Sequence, residues 1–321
     1  MTESGLSPAD PLPPTPRRFS VIVPAFNEVE NMPDLFQDLA GTFSRFQLNG
    51  EIVLVDDGSV DGTLEAARAA ASASGMEDRT VFLRHRVNRG KTAALVTAVR
   101  STDAPVFVLF DADLQHATNE IPRFLDALDE DRDVVVGRKM GDYPKRMVSG
   151  VYNRLSRMIF RVPVRDLNSM KAFRREVVDE VHLREDWHRY LVVLAHDRGF
   201  RIGEIDIDLL PRRHGVSKYS GQGRVVVGLL DLVAVWFQLV FSRKPMLFFG
   251  LTGLFMAGVG VLVGIVALIL RYALGTGFRP LLTLVVFLVL LGGLLFVAGL
   301  VAELIAGLRA EVEDLRRELR R

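Results

Sequence analysis

Between residues 19 and 137 the chain alternates compact apolar runs with longer stretches whose apolar residues recur at helical spacing. Apolar runs at 20–24, 51–55, 80–83, 105–110 and 133–136 predict buried strands. Between them, residues 30–46 (Met32, Leu35, Phe36, Leu39 and Phe43 on one face), 61–74, 91–100 and 118–128 predict helices, with Asp61 as the N-cap of the second. This alternation predicts an α/β domain with a mainly parallel, doubly wound sheet. Such sheets bind ligands beyond the C-terminal ends of their strands. Residues 1–18 hold five prolines and no apolar run, which predicts a disordered tail with no signal-peptide core. Residues 144–220 are less regular and rich in arginine.

The pattern then changes. Residues 246–270 and 281–302 carry no charge over 25 and 22 positions. At about 1.5 Å per residue they reach roughly 38 and 33 Å, enough to cross a hydrocarbon core of about 30 Å. Both are predicted to span a membrane, which puts the two ends of the hairpin on one side. Arg243, Lys244, Arg309, Arg316 and Arg317 flank that side against Arg271 and Arg279 in the connecting loop, a modest bias toward a cytoplasmic location for the catalytic domain and both termini. Residues 225–241, apolar with Asp231 and Trp236, predict either a juxtamembrane amphipathic helix in the interface or an ordinary packed one. Gly258 and Gly260 imitate the start of a dinucleotide fingerprint, but no strand precedes them. Gly260 and Gly264 form a small-xxx-small pair that fits helix packing or chance.

Composition sharpens this in two ways. Cysteine is absent, which excludes disulfides, thiolate metal sites and a cysteine nucleophile. The net charge of +1 hides an asymmetry: residues 1–137 hold 12 basic and 22 acidic groups, residues 138–224 hold 19 and 11, and residues 225–321 hold 9 and 6. An acidic front and a basic rear predict different ligands on different faces. The basic stretch lacks interleaved aromatics, which disfavours nucleic acid.

The acidic groups cluster at predicted strand ends. In Phe110-Asp111-Ala112-Asp113-Leu114-Gln115, two carboxylates alternate where the fourth strand stops. At strand period they point the same way. They then repel unless a hard divalent cation shared with phosphates sits between them, with Gln115 adding a neutral oxygen. Asp56-Asp57-Gly58-Ser59-Val60-Asp61-Gly62-Thr63 follows the second strand. There Asp56 and Asp57 are candidates to accept hydrogen bonds from a base or ribose, while Asp61 to Thr63 read as turn and cap. Val23-Pro24-Ala25-Phe26-Asn27-Glu28 ends the first strand, and Asn88-Arg89-Gly90-Lys91 puts a lysine at a helix start, a combination suited to an anion.

In this order and placement the motifs resemble the inverting family-two glycosyltransferases of GT-A fold. Asp166-Leu-Asn-Ser-Met-Lys-Ala-Phe-Arg174 and Arg212-Arg213-His214-Gly215-Val216-Ser217-Lys218-Tyr219 resemble the polyisoprenyl-phosphate branch, to which dolichol-phosphate mannose synthase belongs. The resemblance implies a GT-A catalytic domain over 19–220, a juxtamembrane segment over 221–244, two transmembrane helices over 245–307 and a charged cytoplasmic tail over 308–321. It also implies residue roles. Pro24, Phe26, Glu28, Asp56, Asp57 and Lys91 would hold a GDP- or UDP-linked sugar, and Asp111, Asp113 and Gln115 would hold Mg²⁺ or Mn²⁺ against its diphosphate. Arg138, Lys145, Arg146, Ser149, Arg213, Ser217 and Lys218 would meet acceptor phosphate or close a loop over the site. Asp113, Asp166 and Arg138 are the expected catalytic residues. The expected reaction moves a sugar, mannose or glucose first, to polyprenyl or dolichyl phosphate at a bilayer, in a chain compatible with a homo-oligomer. Attack by a lipid hydroxyl, processive polysaccharide synthesis and a non-catalytic scaffold are the competing readings. Asp186-Trp187-His188-Arg189 departs from the family's usual acid before a His-Arg pair.

Overall fold

The structure is a computed structural model. It describes residues 18–140, 162–167, 169–181, 187–214, 233–237, 245–273 and 279–318, with single residues 158, 160, 183 and 275. The chain divides into two compact units, Met1–Ser220 and Gly221–Arg321.

In the first unit, strands β1 (Phe19–Ala25), β2 (Gly50–Asp56), β3 (Thr80–Arg84), β4 (Val106–Leu109) and β5 (Val134–Met140) alternate with helices α1 (Met32–Arg45), α2 (Thr63–Ala73), α3 (Lys91–Arg100) and α4 (Glu120–Asp129). Strand β6 (Lys171–Arg174), helices α5 (Arg175–Glu180) and α6 (Leu191–Asp197), and strand β7 (Ile202–Asp208) follow. The seven strands run in the order β3-β2-β1-β4-β6-β5-β7. All neighbours are parallel except β6, which is antiparallel to both β4 and β5. This is a mostly parallel α/β sheet of GT-A type. Strands β6 and β7 lie in the stretch whose sequence shows no regular pattern. Lys171-Ala172-Phe173-Arg174 is too short and too charged to read as a strand, yet its neighbours on both sides complete its hydrogen bonding.

Helix α1 buries Met32, Leu35, Phe36, Leu39 and Phe43 against Val21, Val23, Ile52 and Leu54 of the sheet. At about 1.5–3 kcal/mol for each large side chain fully removed from water, that face alone outweighs any single polar contact in the unit. The N-cap of α2 is Gly62 rather than Asp61. Asp61 stands one residue earlier and accepts from the Thr63 amide at 3.0 Å and from the Val29 amide at 3.2 Å. It thereby ties the start of α2 to the loop after β1.

The second unit holds α7 (Pro245–Ala273) and α8 (Arg279–Glu318). Helix α7 and the Arg279–Leu308 part of α8 are long and apolar enough to cross a bilayer, with mean hydropathies of 2.7 and 3.0. Their apolar side chains are largely exposed, Leu251, Phe255, Leu262, Leu290 and Leu294 among them. In water that surface has no stable cover, and it makes the chain a membrane protein. Gly253 and Gly292 let the helices touch: a Cβ on either would lie 2.5 Å from the other's carbonyl oxygen. Gly260 faces Val289 and Gly264 faces Val285, while Gly258 meets nothing within 4 Å. The small-xxx-small pair is thus part of this packing.

Candidate active site

Sheet order reverses at β1, which pairs with β2 on one side and β4 on the other. The acidic loops converge beyond the C-terminal ends of these strands. The loops after β1 and β2 are stitched together: the Asn27 amide donates to Ser59 Oγ at 2.9 Å, the Val60 amide to Asn27 Oδ1 at 3.0 Å, and the Glu28 amide to Thr63 Oγ1 at 2.8 Å. Glu28 itself accepts from Asn31 Nδ2 at 2.6 Å. Pro24 and Phe26 are half-buried beside this seam.

Asp56 and Asp57, a like pair in sequence, do different things. Asp56 is fully buried. One oxygen accepts from the Ser59 amide at 2.9 Å, and the other lies 3.2 Å from Arg84 Nε. Asp57 is spent on the neighbouring loop. It accepts from the Arg89 amide at 2.9 Å, from the Gly90 amide at 2.7 Å and from His85 Nδ1 at 2.7 Å. A carboxylate only accepts, so the shared proton sits on Nδ1. His85 Nε2 then meets Thr97 Oγ1 of α3 at 2.9 Å. Gly90 takes φ +83°, a conformation that L side chains rarely adopt, and turns the chain into α3. Asp57 therefore aims Lys91, the first residue of that helix, and its own oxygens face protein groups.

Lys91 Nζ donates to Asp111, and Arg212 Nη2 donates to Asp113 at 2.7 Å. Strand β4 ends at Leu109, so the two carboxylates sit on a loop and not at strand period; Leu114 at φ +55° bends the chain back. Burial pushes the Asp111 carboxyl up, but Lys91 outweighs it and holds the group well below its ordinary value. Asp113 goes the other way. Burial and the charge of Asp111 push it up, against Arg212. The Gln115 amide donates to Asp113 Oδ1 at 3.2 Å, and the Gln115 carbonyl accepts from Leu210, which draws the segment bearing Arg212 over the acidic loop. Two repelling carboxylates under two cations form a donor set for a hard divalent ion. No three carboxylate or imidazole groups converge among the described residues.

Behind this pair lies a buried polar layer, of which the sequence reading singled out only Asp166 and not Lys171, His116 or His188. Lys171, 1% exposed, donates to the Ser169 carbonyl at 2.9 Å. Burial and then Lys91 push its ammonium down to about 7, with Asp111 and Asp166 opposing. Burial pushes His116 down to about 4, and its Nδ1 has no partner among the described residues. Asp166 is buried with Oδ2 3.9 Å from Lys139 Nζ. His188 is neutral and buried, with Nδ1 3.1 Å from Thr92 Oγ1 at the start of α3.

Other candidates stand apart. Arg138 is held bidentately by Asp206 of β7, directly opposite it in register. Arg213 pairs with Asp34 and Asp38 of α1, so its neighbour Arg212 is the one that reaches the acidic pair. The pairing could have been suspected only from knowing that Leu210 docks on Gln115. Lys145, Arg146, Ser149, Ser217 and Lys218 lie outside the described residues, as does Asp186.

Comparison with known proteins gives this geometry a family. The family description "Glycosyl transferase family 2" matches residues 20–181, which contain Asp56, Asp57, Lys91, Asp111, Asp113 and Asp166. The chain belongs to glycosyl transferase family 2. It is 33% identical over 300 residues to a dodecaprenyl-phosphate galacturonate synthase of Rhizobium johnstonii, covering 89% of this chain and 87% of the relative. It is 29% identical over 262 residues to an undecaprenyl-phosphate 4-deoxy-4-formamido-L-arabinose transferase of Aeromonas hydrophila, covering 80% and 77%. The fold matches glucosyl-3-phosphoglycerate synthase of Mycobacterium tuberculosis with TM-score 0.54 at 19% identity, over 70% of this chain and 80% of that one. A second structure of that synthase, solved with Mg²⁺ and uridine diphosphate, matches with TM-score 0.53. The family and the fold make this chain a glycosyltransferase of GT-A architecture.

Proposed function

We propose that this family 2 enzyme transfers a sugar from a nucleoside diphosphate to a polyprenyl phosphate at the membrane surface, with inversion at C1. The observation that carries this reading is the alternation of charge at the strand ends: Asp111 and Asp113, capped by Lys91 and Arg212. A site that needs two cations to neutralise two carboxylates can exchange them for a metal diphosphate and then place the same cations on phosphate oxygens. Asp111, Asp113 and Gln115 would hold Mg²⁺ or Mn²⁺, which when bound would stabilise the leaving diphosphate as a Lewis acid.

The chain's own residues supply the rest. Asp57 fixes the loop that aims Lys91 at the donor phosphates. Asp56, buried with a single ion-pair contact on one oxygen, is our candidate for holding the nucleoside, with Pro24, Phe26 and Glu28. A phosphate monoester has a second pKa of about 6, so the lipid phosphate arrives mostly as a dianion at neutral pH. Its oxygen attacks C1, the bond from C1 to the diphosphate oxygen breaks, and the nucleoside diphosphate leaves. No proton need be removed, so the demand is charge neutralisation and positioning. Asp166, paired with Lys139, is suited to orienting cations or the sugar. Arg138, Lys145, Arg146, Ser149, Arg213, Ser217 and Lys218 remain acceptor candidates, Arg138 on condition that Asp206 releases it. The basic flanks of the hairpin favour a cytoplasmic face for the catalytic unit and both ends.

The test is direct. Purified full-length protein would be incubated with Mg²⁺ or Mn²⁺, polyprenyl phosphate and a panel of UDP- and GDP-sugars, and the lipid product weighed by mass spectrometry. The panel should include galacturonate and amino-arabinose donors beside mannose and glucose. One donor should yield a glycosyl-phosphoryl-polyprenol, and Asp113→Ala should abolish it while the protein stays folded and membrane-bound. Transfer by Asp113→Ala at the normal rate would sink the metal assignment; no product from any donor would sink the function.

A further inference from the structure

Asp166 sits on a stretch that belongs to no helix or strand. Residues 162–167 and 169–170 lead into β6 without regular structure of their own, so their backbone groups need partners from elsewhere. Three neighbours supply them. Glu204 of β7 accepts on Oε1 from two successive amides, those of Arg165 and Asp166, the second at 3.3 Å. The Ser169 carbonyl accepts from Lys171 Nζ at 2.9 Å, and the Met170 carbonyl accepts from the Gly137 amide of β5 at 2.9 Å. Gly137 also gives the stretch room, since a Cβ there would lie 3.1 Å from Ser169 Oγ.

Of these three holds, only that of Glu204 acts on the backbone of Asp166 itself. Two successive amides on one oxygen fix the path of the chain at 165 and 166. They thereby fix the direction of the Asp166 Cα–Cβ bond and the aim of its carboxylate, which is buried with Oδ2 3.9 Å from Lys139 Nζ. Strand β7 is the edge of the sheet and pairs with β5 alone. Acidic residues on an edge strand ordinarily face water and discourage further pairing. Glu204, Asp206 and Asp208 alternate along β7 and so share one face. Asp208 is exposed and fits that ordinary role. Glu204 is half-buried and turned onto a loop 38 residues earlier in the chain. It stands opposite Val136, two positions before Asp206 and Arg138 meet, so one strand holds both the Asp166 loop and Arg138.

We propose that Glu204 is the positioning residue for Asp166. By accepting from the Arg165 and Asp166 amides, its carboxylate sets where the Asp166 carboxylate stands against the donor sugar or the cations around it. The proposal rests on the role of Asp166 proposed above and requires no contact of Glu204 with substrate.

The test uses the full-length enzyme in vesicles with undecaprenyl phosphate, Mg²⁺ and the donor that yields product in the panel above. Glu204→Ala should lower kcat about 10- to 100-fold, the cost of a small misplacement, and leave KM for the nucleotide-sugar within about twofold. Glu204→Gln keeps a carbonyl oxygen on the same stem, so its kcat should stay within about threefold of the parent. Asp208→Ala removes a carboxylate from the same face of the same strand and should change neither constant. In an Asp166→Asn background, itself slowed, Glu204→Ala should cost about twofold or less further, because its effect passes through a group already removed. A glutamine variant as slow as the alanine one, an equal loss in Asp208→Ala, or the full alanine loss repeated on top of Asp166→Asn would overturn the proposal and leave Asp166 in its role. Asp166→Asn turning over at the parent rate would instead remove Asp166 from the reaction, and the proposal with it. Should Glu204→Ala fail to fold in thermal melts, Glu204→Asp takes its place. It keeps the charge but draws the oxygen back on a shorter stem, so a slowed kcat supports the proposal and a normal one overturns it.

Discussion

Asp57 and His85 form the most consequential side-chain pair outside the acidic loop, because they turn one carboxylate into a positioning device. Asp57 meets three donors, and the ring of His85 carries the link on to Thr97 of α3. His85→Ala leaves Asp57 and Thr97 short of a buried partner, which should cost about 1–3 kcal/mol in thermal or denaturant unfolding. It should also raise KM for the nucleotide-sugar more than it lowers kcat, since Lys91 loses its aim. A purely structural role would lower stability and leave KM alone. His188 supports a prediction about acid. Burial, then the nearby charges of Lys91 and Lys171, hold its pKa well below the ordinary 6.5, so the folded chain keeps it neutral. The unfolded chain takes up that proton first, and stability must fall as pH drops below about 6.5. His188→Gln should make the decline shallower in a series of melts across that window; an unchanged slope would assign the acid loss elsewhere. At this scale the sequence revealed which residue types stand at each strand end. That Asp56 is buried against Arg84 while Asp57 faces a loop 32 residues away was not legible, because both follow the same apolar run.

Elements were read with uneven success, for physical reasons. Strands β1, β2, β4 and β5 announce themselves because each carries a buried, nearly continuous apolar run, while β3, half-buried at the sheet edge, shows only as Val81, Phe82 and Leu83. Strand β6 does not, since two of its four residues are Lys171 and Arg174 and its place between β4 and β5 comes from long-range pairing. Helix α2 shows a smaller miss: Asp61 caps from one residue upstream because Gly62, at φ +87°, turns the chain first. The membrane hairpin was legible as length and apolarity, while of its contact face only the Gly260 and Gly264 pair was, and the closer Gly253–Gly292 contact was not. Substituting Gly253 with leucine should force the helices apart, since even a Cβ would lie 2.5 Å from the Gly292 carbonyl oxygen. Overpacking of this kind costs about 1–3 kcal/mol. The same change at Gly258, where nothing lies within 4 Å, should be tolerated. Comparing thermal stability of the two variants in detergent checks this, and equal losses would mean that the hairpin packs otherwise.

For the whole molecule the decisive facts are the division into two units and the split of charge. The first unit has its own core, built on α1, α2, α4 and the sheet. Residues 18–214 expressed alone should therefore fold and bind nucleotide-sugar with divalent metal, measured by calorimetry. Transfer to long-chain polyprenyl phosphate in vesicles should drop steeply, while a short water-soluble analogue should still be used. Equal activity of the excised unit on both acceptors would remove the anchor from any part in acceptor capture. The near-zero total charge, misleading as a sum, resolves into carboxylates at strand ends, cations around them and basic flanks beside the apolar hairpin. The sequence alone determined the fold class, the two spans, the family resemblance and the order of acidic motifs, because these rest on local periodicity and on which residue types follow a buried strand. Only the tertiary structure decided that Arg212 and not Arg213 reaches Asp113, that Asp57 is spent on the Lys91 loop, that Arg138 is held by Asp206, and that Lys171 lies buried behind the site. Each of these joins residues dozens of positions apart, and such pairings follow from how strands are ordered in the sheet, which no local pattern encodes.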